Sequence, residues 1–369
     1  MWRLLRPDAY TVWKDLEVRR RLEWYYKVMR NEKPAKFIIC KYVDCDVNPK
    51  DLTLEELWDV HNSVTKNFDS LLKSIIKGET NLNDLARPKW SFLDVKVEIA
   101  YRILTNCHFC EHRCGVDRTK GQRGFCRLNS TTIVHTWFHH YGEEAPLIPS
   151  GTIFYGSCNL RCAFCQNYDI SQENVFSGIE VTPKQLALIQ TDLRKGGVRN
   201  INHVGGEPTP HLHTILASLK HLDINVPQLW NSNMYCSIET MRLLKDVIDI
   251  WLPDFKYGNN ECAERLSGIK RYVDVVTRNL KIAHNSGDMI IRHLVMPNHI
   301  KCCTKPILKW ISENCPRALV NIMSQYRPEY LVARYPQKYP DIARRPTVNE
   351  MQEAFNYAEK LGLCYKPVS

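Results

Sequence analysis

From Gly151 onward, short apolar runs rich in β-branched and aromatic residues alternate with segments of helical period. This alternation constrains the fold more than any other feature of the chain. Residues 152–155, 201–204, 226–231, 248–255, 289–296 and 318–323 read as strands. Between and after them, helical patterns run around 182–195, 213–222, 238–247, 260–284, 305–313 and 348–361. The first of these carries Thr182 as N-cap, Pro183 at the first helical position and Gly196-Gly197 as the stop. Six strand-then-helix units predict an α/β fold: a mostly parallel sheet with helices outside, either doubly wound or curled into a partial (β/α)6 barrel. In both, ligands collect at the carboxyl ends of the strands.

Residues 1–105 follow a different pattern. Positions 19–28 and 54–76 have helical periodicity, with Pro34 and Pro49 between them, and predict a helical N-terminal extension. The aromatic run Trp24-Tyr25-Tyr26 is expected to face a core. The expected division is therefore 1–105 helical extension, 106–150 cysteine-rich segment and 151–369 main domain.

No stretch reaches the ~18 apolar residues of a membrane span, and the first residues lack the apolar core of a leader, so the expectation is a cytoplasmic protein. There thiols stay reduced, and 15 cysteines suggest metal ligation or catalysis more than a disulfide framework. The 50 basic and 40 acidic residues give +10, compatible with an anionic partner, but no basic run marks a nucleic-acid arm.

Two cysteine groups stand out. Cys158-Asn-Leu-Arg-Cys162-Ala-Phe-Cys165 sets three thiolates in eight residues just after a predicted strand. Thiolates select zinc or iron–sulfur clusters. By spacing alone the loop fits either a zinc knuckle that borrows a fourth ligand or a four-iron cluster with one iron left open.

The wider sequence resembles the radical S-adenosylmethionine (SAM) superfamily over residues 107–362, and within it the branch of pyruvate formate-lyase activating enzyme. The carriers are the three-cysteine loop with Phe164 before its last cysteine, and Gly205-Gly206-Glu207-Pro208-Thr209. Trp230-Asn-Ser-Asn-Met-Tyr235, Leu252-Pro-Asp-Phe-Lys-Tyr257, Ile291-Arg-His-Leu-Val-Met-Pro297 and Asn321-Ile-Met-Ser-Gln-Tyr-Arg-Pro328 add to it. The resemblance implies a 4Fe–4S cluster on Cys158, Cys162 and Cys165, SAM on its open iron, and a 5′-deoxyadenosyl radical that abstracts hydrogen from a substrate. It also implies a reducing partner such as ferredoxin or flavodoxin. Cofactor-binding candidates are Phe164, Gly205, Gly206, Glu207, Ser232, Asn233, Asp254, Lys256, Arg292 and His293. The glycines would let backbone approach the methionine moiety, and Glu207 would accept from its ammonium group. The chain departs from the branch at Asn231-Ser-Asn-Met234, where the activators carry Asp-Thr-Asn-Gly; losing the Asp weakens a cation site and losing the Gly changes the turn. A glycyl-radical protein substrate is not implied, and the substrate, small molecule or protein, is open.

Cys107, Cys110, Cys114 and Cys126 form the second group, with Arg113, Arg118 and Arg123 nearby and His108 and His112 as alternative ligands. It reads as a bound metal, zinc or a second iron–sulfur cluster, or else as free thiols. Vicinal Cys302-Cys303 reads as a redox pair or idle thiols, and His135, His139 and His140, between the two cysteine runs, as metal ligands or, more commonly for such histidines, packing or surface groups. Other readings are an RNA-modifying radical SAM enzyme and a metal-stapled nucleic-acid-binding module, against which six βα units weigh.

Overall fold

A computed structural model describes residues 2–369. Its sheet has eight strands: β1 (Ile133–His140), β2 (Ser150–Tyr155), β3 (Ile179–Glu180), β4 (Asn200–Gly205), β5 (Gln228–Ser232), β6 (Ile250–Pro253), β7 (Asp288–Leu294) and β8 (Leu319–Met323), in the order β3-β1-β2-β4-β5-β6-β7-β8. From β2 to β8 every pairing is parallel, giving the six parallel strands the sequence predicts. The correction lies upstream. Residues 106–150 are not only a cysteine-rich segment: β1 pairs antiparallel with β2 and extends the sheet. Its alternation was hidden because its second half, Trp137–His140, is exposed or half-buried.

Helices link the parallel strands: α1 (Pro183–Lys195), α2 (Leu212–Lys220), α3 (Ile238–Leu244), α4 (Asn260–Ser267), α5 (Tyr272–Ser286) and α6 (Lys305–Asn314), with α7 (Val348–Lys360) after β8. Thr182 caps α1 in a reciprocal capping box with Gln185, and Thr347 does the same for α7 with Glu350. Among the described residues no helix is long and apolar enough to cross a membrane.

The period of two along each strand sorts side chains into two sets. Ile201, Trp230, Trp251, Ile291 and Val320 join the core under the helices. Leu229, Ile250, Leu252, Ile290 and Leu319 form a separate apolar cluster inside the curve of the sheet, near the amino ends of the strands. Val12, Trp13, Val18, Leu22 and Tyr25 of the N-terminal extension complete that cluster. Polar contacts fix the same segment: the Asn200 amide donates to the Tyr25 hydroxyl at 2.9 Å, the Trp24 indole to Asp249 at 2.8 Å and the Tyr25 amide to Asp288 at 2.7 Å. The extension thus plugs the amino end of the sheet. The helix Leu54–Lys77 packs on Phe92–Ile103, which in turn packs on α2, with a buried Lys96–Asp246 ion pair at 2.8 Å.

Candidate active site

With the amino end plugged, a cavity of about 450 Å³ remains at the carboxyl ends of the strands, a size ordinary for a small-molecule site. One wall is the loop after β2. Cys158 and Cys162 are buried and Cys165 is half-buried, and all three line the cavity. Each sulfur meets a polar group: the Leu160 amide donates to Cys158 at 3.3 Å, the Ser267 hydroxyl donates to Cys162 at 3.0 Å, and the Ser171 hydroxyl lies 3.2 Å from Cys165. Burial pushes all three thiols up, Cys162 to about 11, so without a cation the buried set stays protonated. A bound metal deprotonates coordinating thiols outright, and these donors suit the resulting thiolates. The residues therefore fit an iron–sulfur cluster.

The turn after β4 closes on that loop. Gly205 has φ +109°, and a Cβ there would sit 2.2 Å from the Tyr155 nitrogen; one at Gly206 would sit 1.8 Å from the Ser157 oxygen. The glycines line the cavity, but their tightest constraint is this contact between the ends of β2 and β4. Glu207 is fully enclosed. It accepts from the hydroxyls of Ser232 and Thr209, each at 2.6 Å, and from the Asn233 amide at 3.0 Å. Burial raises its pKa despite those donors. Glu207 thereby fixes Ser232 and Asn233, and the Asn233 side-chain amide reaches Asn159 at 2.8 Å and Cys158 at 3.7 Å.

Met234 occupies the position where the sequence leads one to expect a changed turn. Its φ is +59°, the left-handed conformation that glycine favours, and the side chain is fully buried. The Asn279 amide donates to the Met234 carbonyl at 2.8 Å and braces it. Packing holds a methionine in a backbone conformation usually left to glycine.

Elsewhere on the cavity wall, charge takes over. Arg292 pairs with Asp254 at 2.9 Å and Glu143 at 3.5 Å and donates to Asn231, while Asp254 also binds Lys256 at 2.6 Å. Burial opposes ionisation of Asp254, but Arg292 and Lys256 outweigh it and hold its carboxyl below the ordinary range. Glu143 is likewise held low, against its burial, by His140 at 3.2 Å and by Arg292. Its neighbour Glu144 is pushed up by burial, bonds Asn321 at 2.8 Å through one oxygen, and has no hydrogen-bond partner for the other among the described residues.

Of the sequence candidates, Phe164, Gly205, Gly206, Glu207, Ser232, Asn233, Asp254, Lys256 and Arg292 share this cavity with the three cysteines. His293 does not. It follows Arg292 on β7 and so faces the opposite side, with its ring against the Phe255 carbonyl and the Thr304 hydroxyl, both at 2.9 Å. Sequence reasoning missed Glu143 and set His140 aside. The one available signal was an adjacent acid pair just before the first parallel strand.

The four-cysteine run packs directly on the cluster loop. Ser157 donates to the Cys126 carbonyl, and Arg161 donates to the Phe125 carbonyl and lies 4.2 Å from the Phe125 ring. Of the three arginines only Arg118 meets a sulfur, at 3.8 Å from Cys107. Arg113 pairs with Glu239, and Arg123 stacks on Phe176. His108 and His112 each face a backbone carbonyl.

Residues 152–311 match the family profile "Radical SAM superfamily". Uncharacterized protein MJ0674 of Methanocaldococcus jannaschii is 48% identical over 344 residues, covering 92% of this chain and 97% of that one. A second protein of that organism, uncharacterized protein MJ0808, is 23% identical over 70% of this chain and 79% of its own. Among solved structures, SuiB of Streptococcus suis bound to precursor peptide SuiA aligns with a TM-score of 0.39 at 16% identity, over 57% of this chain and 46% of SuiB. SuiB bound to S-adenosylmethionine aligns at 0.35 and 17%, over 53% of this chain and 42% of that one. The chain therefore aligns with less than half of the length of these SuiB structures. The profile match covers the cysteine loop, the Gly-Gly-Glu turn and the strands that carry Asp254 and Arg292, so residues 152–311 form a radical SAM superfamily domain.

Proposed function

We propose that this chain is an activating-enzyme-like radical SAM enzyme of the cytoplasm, with Cys158, Cys162 and Cys165 holding a 4Fe–4S cluster. When bound, the cluster and SAM supply a 5′-deoxyadenosyl radical for hydrogen abstraction. The observation that carries the reading is the convergence of three cysteines, two of them buried, the Glu207-braced Ser232–Asn233 turn and the Arg292 network on one cavity closed at its far end.

The protein's own contribution is placement. Phe164, edge-on to Tyr326 at 5.8 Å, offers an aromatic wall beside the cysteines. Asn233 and Ser232 present polar groups next to Cys158, suited to the amino and carboxylate ends of SAM. Arg292, Lys256, Asp254 and Glu143 line the same cavity and suit a polar, hydrogen-bonding substrate group. The apolar plug excludes water from below, which a radical reaction requires. An electron donor such as ferredoxin or flavodoxin would reduce the cluster from the cysteine side. The four-cysteine run is seated on the cluster loop, and since no three of its sulfurs stand within single-ion spacing among the described residues, a second iron–sulfur cluster would suit it better than one zinc. The activating-enzyme-like assignment draws its support from the motifs at 230–235, 252–257 and 291–297.

Anaerobically reconstituted protein should show broad visible absorbance and, once reduced, convert SAM to 5′-deoxyadenosine. Replacing Cys158, Cys162 and Cys165 together by Ala should abolish both. Undiminished cleavage by the triple variant overturns the proposal.

A further inference from the structure

On the outer side of the same two strand ends lies a second ligand set, apart from the cavity. Cys262, His299, Cys302 and Cys303 bring one ligand atom each to within 4.8 Å of one another, and among the described residues they are the one group of three or more His, Cys, Asp or Glu to do so. The His299 Nδ1 lies 3.3 Å from the Cys302 sulfur, 3.6 Å from that of Cys262 and 3.8 Å from that of Cys303; the Cys302 and Cys303 sulfurs are 4.0 Å apart. Around one tetrahedral zinc, with Zn–S of about 2.3 Å and Zn–N of about 2.0 Å, ligand atoms stand roughly 3.5–3.8 Å apart. The match is to a single ion. Two or more irons would spread the same ligands over separate centres, and a disulfide would need bonded sulfurs.

Local structure explains the convergence. His299 caps the turn Ile300–Thr304, so Cys302 and Cys303 follow it at i+3 and i+4 and face the same side. Cys262 comes from the first turn of α4, where the Asn259 side chain accepts from its amide at 2.7 Å. The same Asn259 donates to the Cys302 carbonyl at 2.9 Å, and at Gly258 a Cβ would meet that carbonyl at 2.7 Å. The far nitrogen of the imidazole, Nε2, is 2.9 Å from Asp341, which is paired in turn with Arg265. A carboxylate on the second ring nitrogen fixes the tautomer that frees Nδ1 for a metal, and it is the usual companion of a ligating histidine.

We propose that Cys262, His299, Cys302 and Cys303 form a closed Cys3His zinc site that staples the loop after β6 to the loop after β7. Three thiolates and a neutral imidazole saturate a structural zinc, and the three thiol protons leave to solvent as it binds. The site carries a net charge of −1, which Arg265 faces through Asp341. The strand ends it ties together are those that present Asp254, Lys256 and Arg292 to the cavity. The vicinal cysteines, which read from sequence as a redox pair or idle thiols, become half of a ligand set.

The test uses full-length protein purified without oxygen. Metal analysis should find zinc, and replacing Cys262 and Cys302 together by Ser should remove about one equivalent of it while iron content is unchanged. Since that variant can misfold, wild-type protein supplies the second readout, alkylation by iodoacetamide mapped by mass spectrometry. Cys302 is exposed and Cys262 half-buried, yet both should stay unlabelled until a strong chelator is added and should then react together as zinc is released. Asp341→Asn should let a competing chelator strip that zinc about 10- to 100-fold more readily. Labelling of Cys302 at one rate with and without chelator overturns the proposal, as does a Cys302–Cys303 disulfide in zinc-free protein.

Discussion

The two ends of the parallel sheet use buried polar groups in opposite ways. At the amino end Asn200, Asp249 and Asp288 are each taken up by Trp24 or Tyr25 of the N-terminal extension, over a layer of Leu229, Ile250, Ile290 and Leu319. At the carboxyl end Arg292, Asp254, Lys256 and Glu143 satisfy one another around open space. One set is spent on closure and the other is kept available to a ligand. The same strand positions, moved two or three residues along, pass from packing to chemistry.

If the ends are independent, altering one should leave the other's property untouched. The largest effect belongs to the mouth: Cys162→Ala should take 5′-deoxyadenosine formation to background while the urea midpoint of the metal-free protein stays put. A large fall in that midpoint would tie the loop to the fold as a whole. Arg292→Leu strips a partner from both Asp254 and Glu143 and should cost about 3–5 kcal/mol, read from urea unfolding. A loss below about 1 kcal/mol would mean that Lys256 and His140 alone carry those acids. At the plugged end Tyr25→Phe removes the hydroxyl that Asn200 donates to, for about 1–2 kcal/mol, and should leave SAM cleavage within about twofold.

The smallest effect is one of pH. Burial lifts the Asp288 carboxyl from 3.8 to about 7. Between about pH 4 and 7 the folded protein therefore holds a proton that the unfolded chain has released, so stability falls as pH rises across that window. Asp288→Asn should flatten that slope in urea midpoints taken from pH 4 to 8. A slope that survives the substitution assigns it to another group.

Much of the mouth was legible because its residues sit in short local patterns. Three cysteines in eight residues, a Gly-Gly-Glu after a strand, and Asp254 and Lys256 at a strand end all declare themselves within one element. His293 was misplaced through a one-residue slip in facing, which a period of two punishes fully. Glu143 escaped because, His140 apart, its partners Arg292 and Asn202 are distant in sequence. The Cys262–His299–Cys302–Cys303 set escaped similarly, since one of its four ligands, Cys262, comes from across α5 and β7. The N-terminal plug was seen as helical but not as a plug: Val12, Trp13 and Tyr25 meet Ile290 and Leu319 only when the sheet is complete.

That last contact imposes an order of assembly. Trp13 and Tyr25 share their cluster with Leu229, Ile250, Leu252, Ile290 and Leu319, which lie far along the chain on β5 to β8, so their seat is complete only once those strands have assembled. Such distant pairing slows folding and leaves sticky side chains bare in the interval.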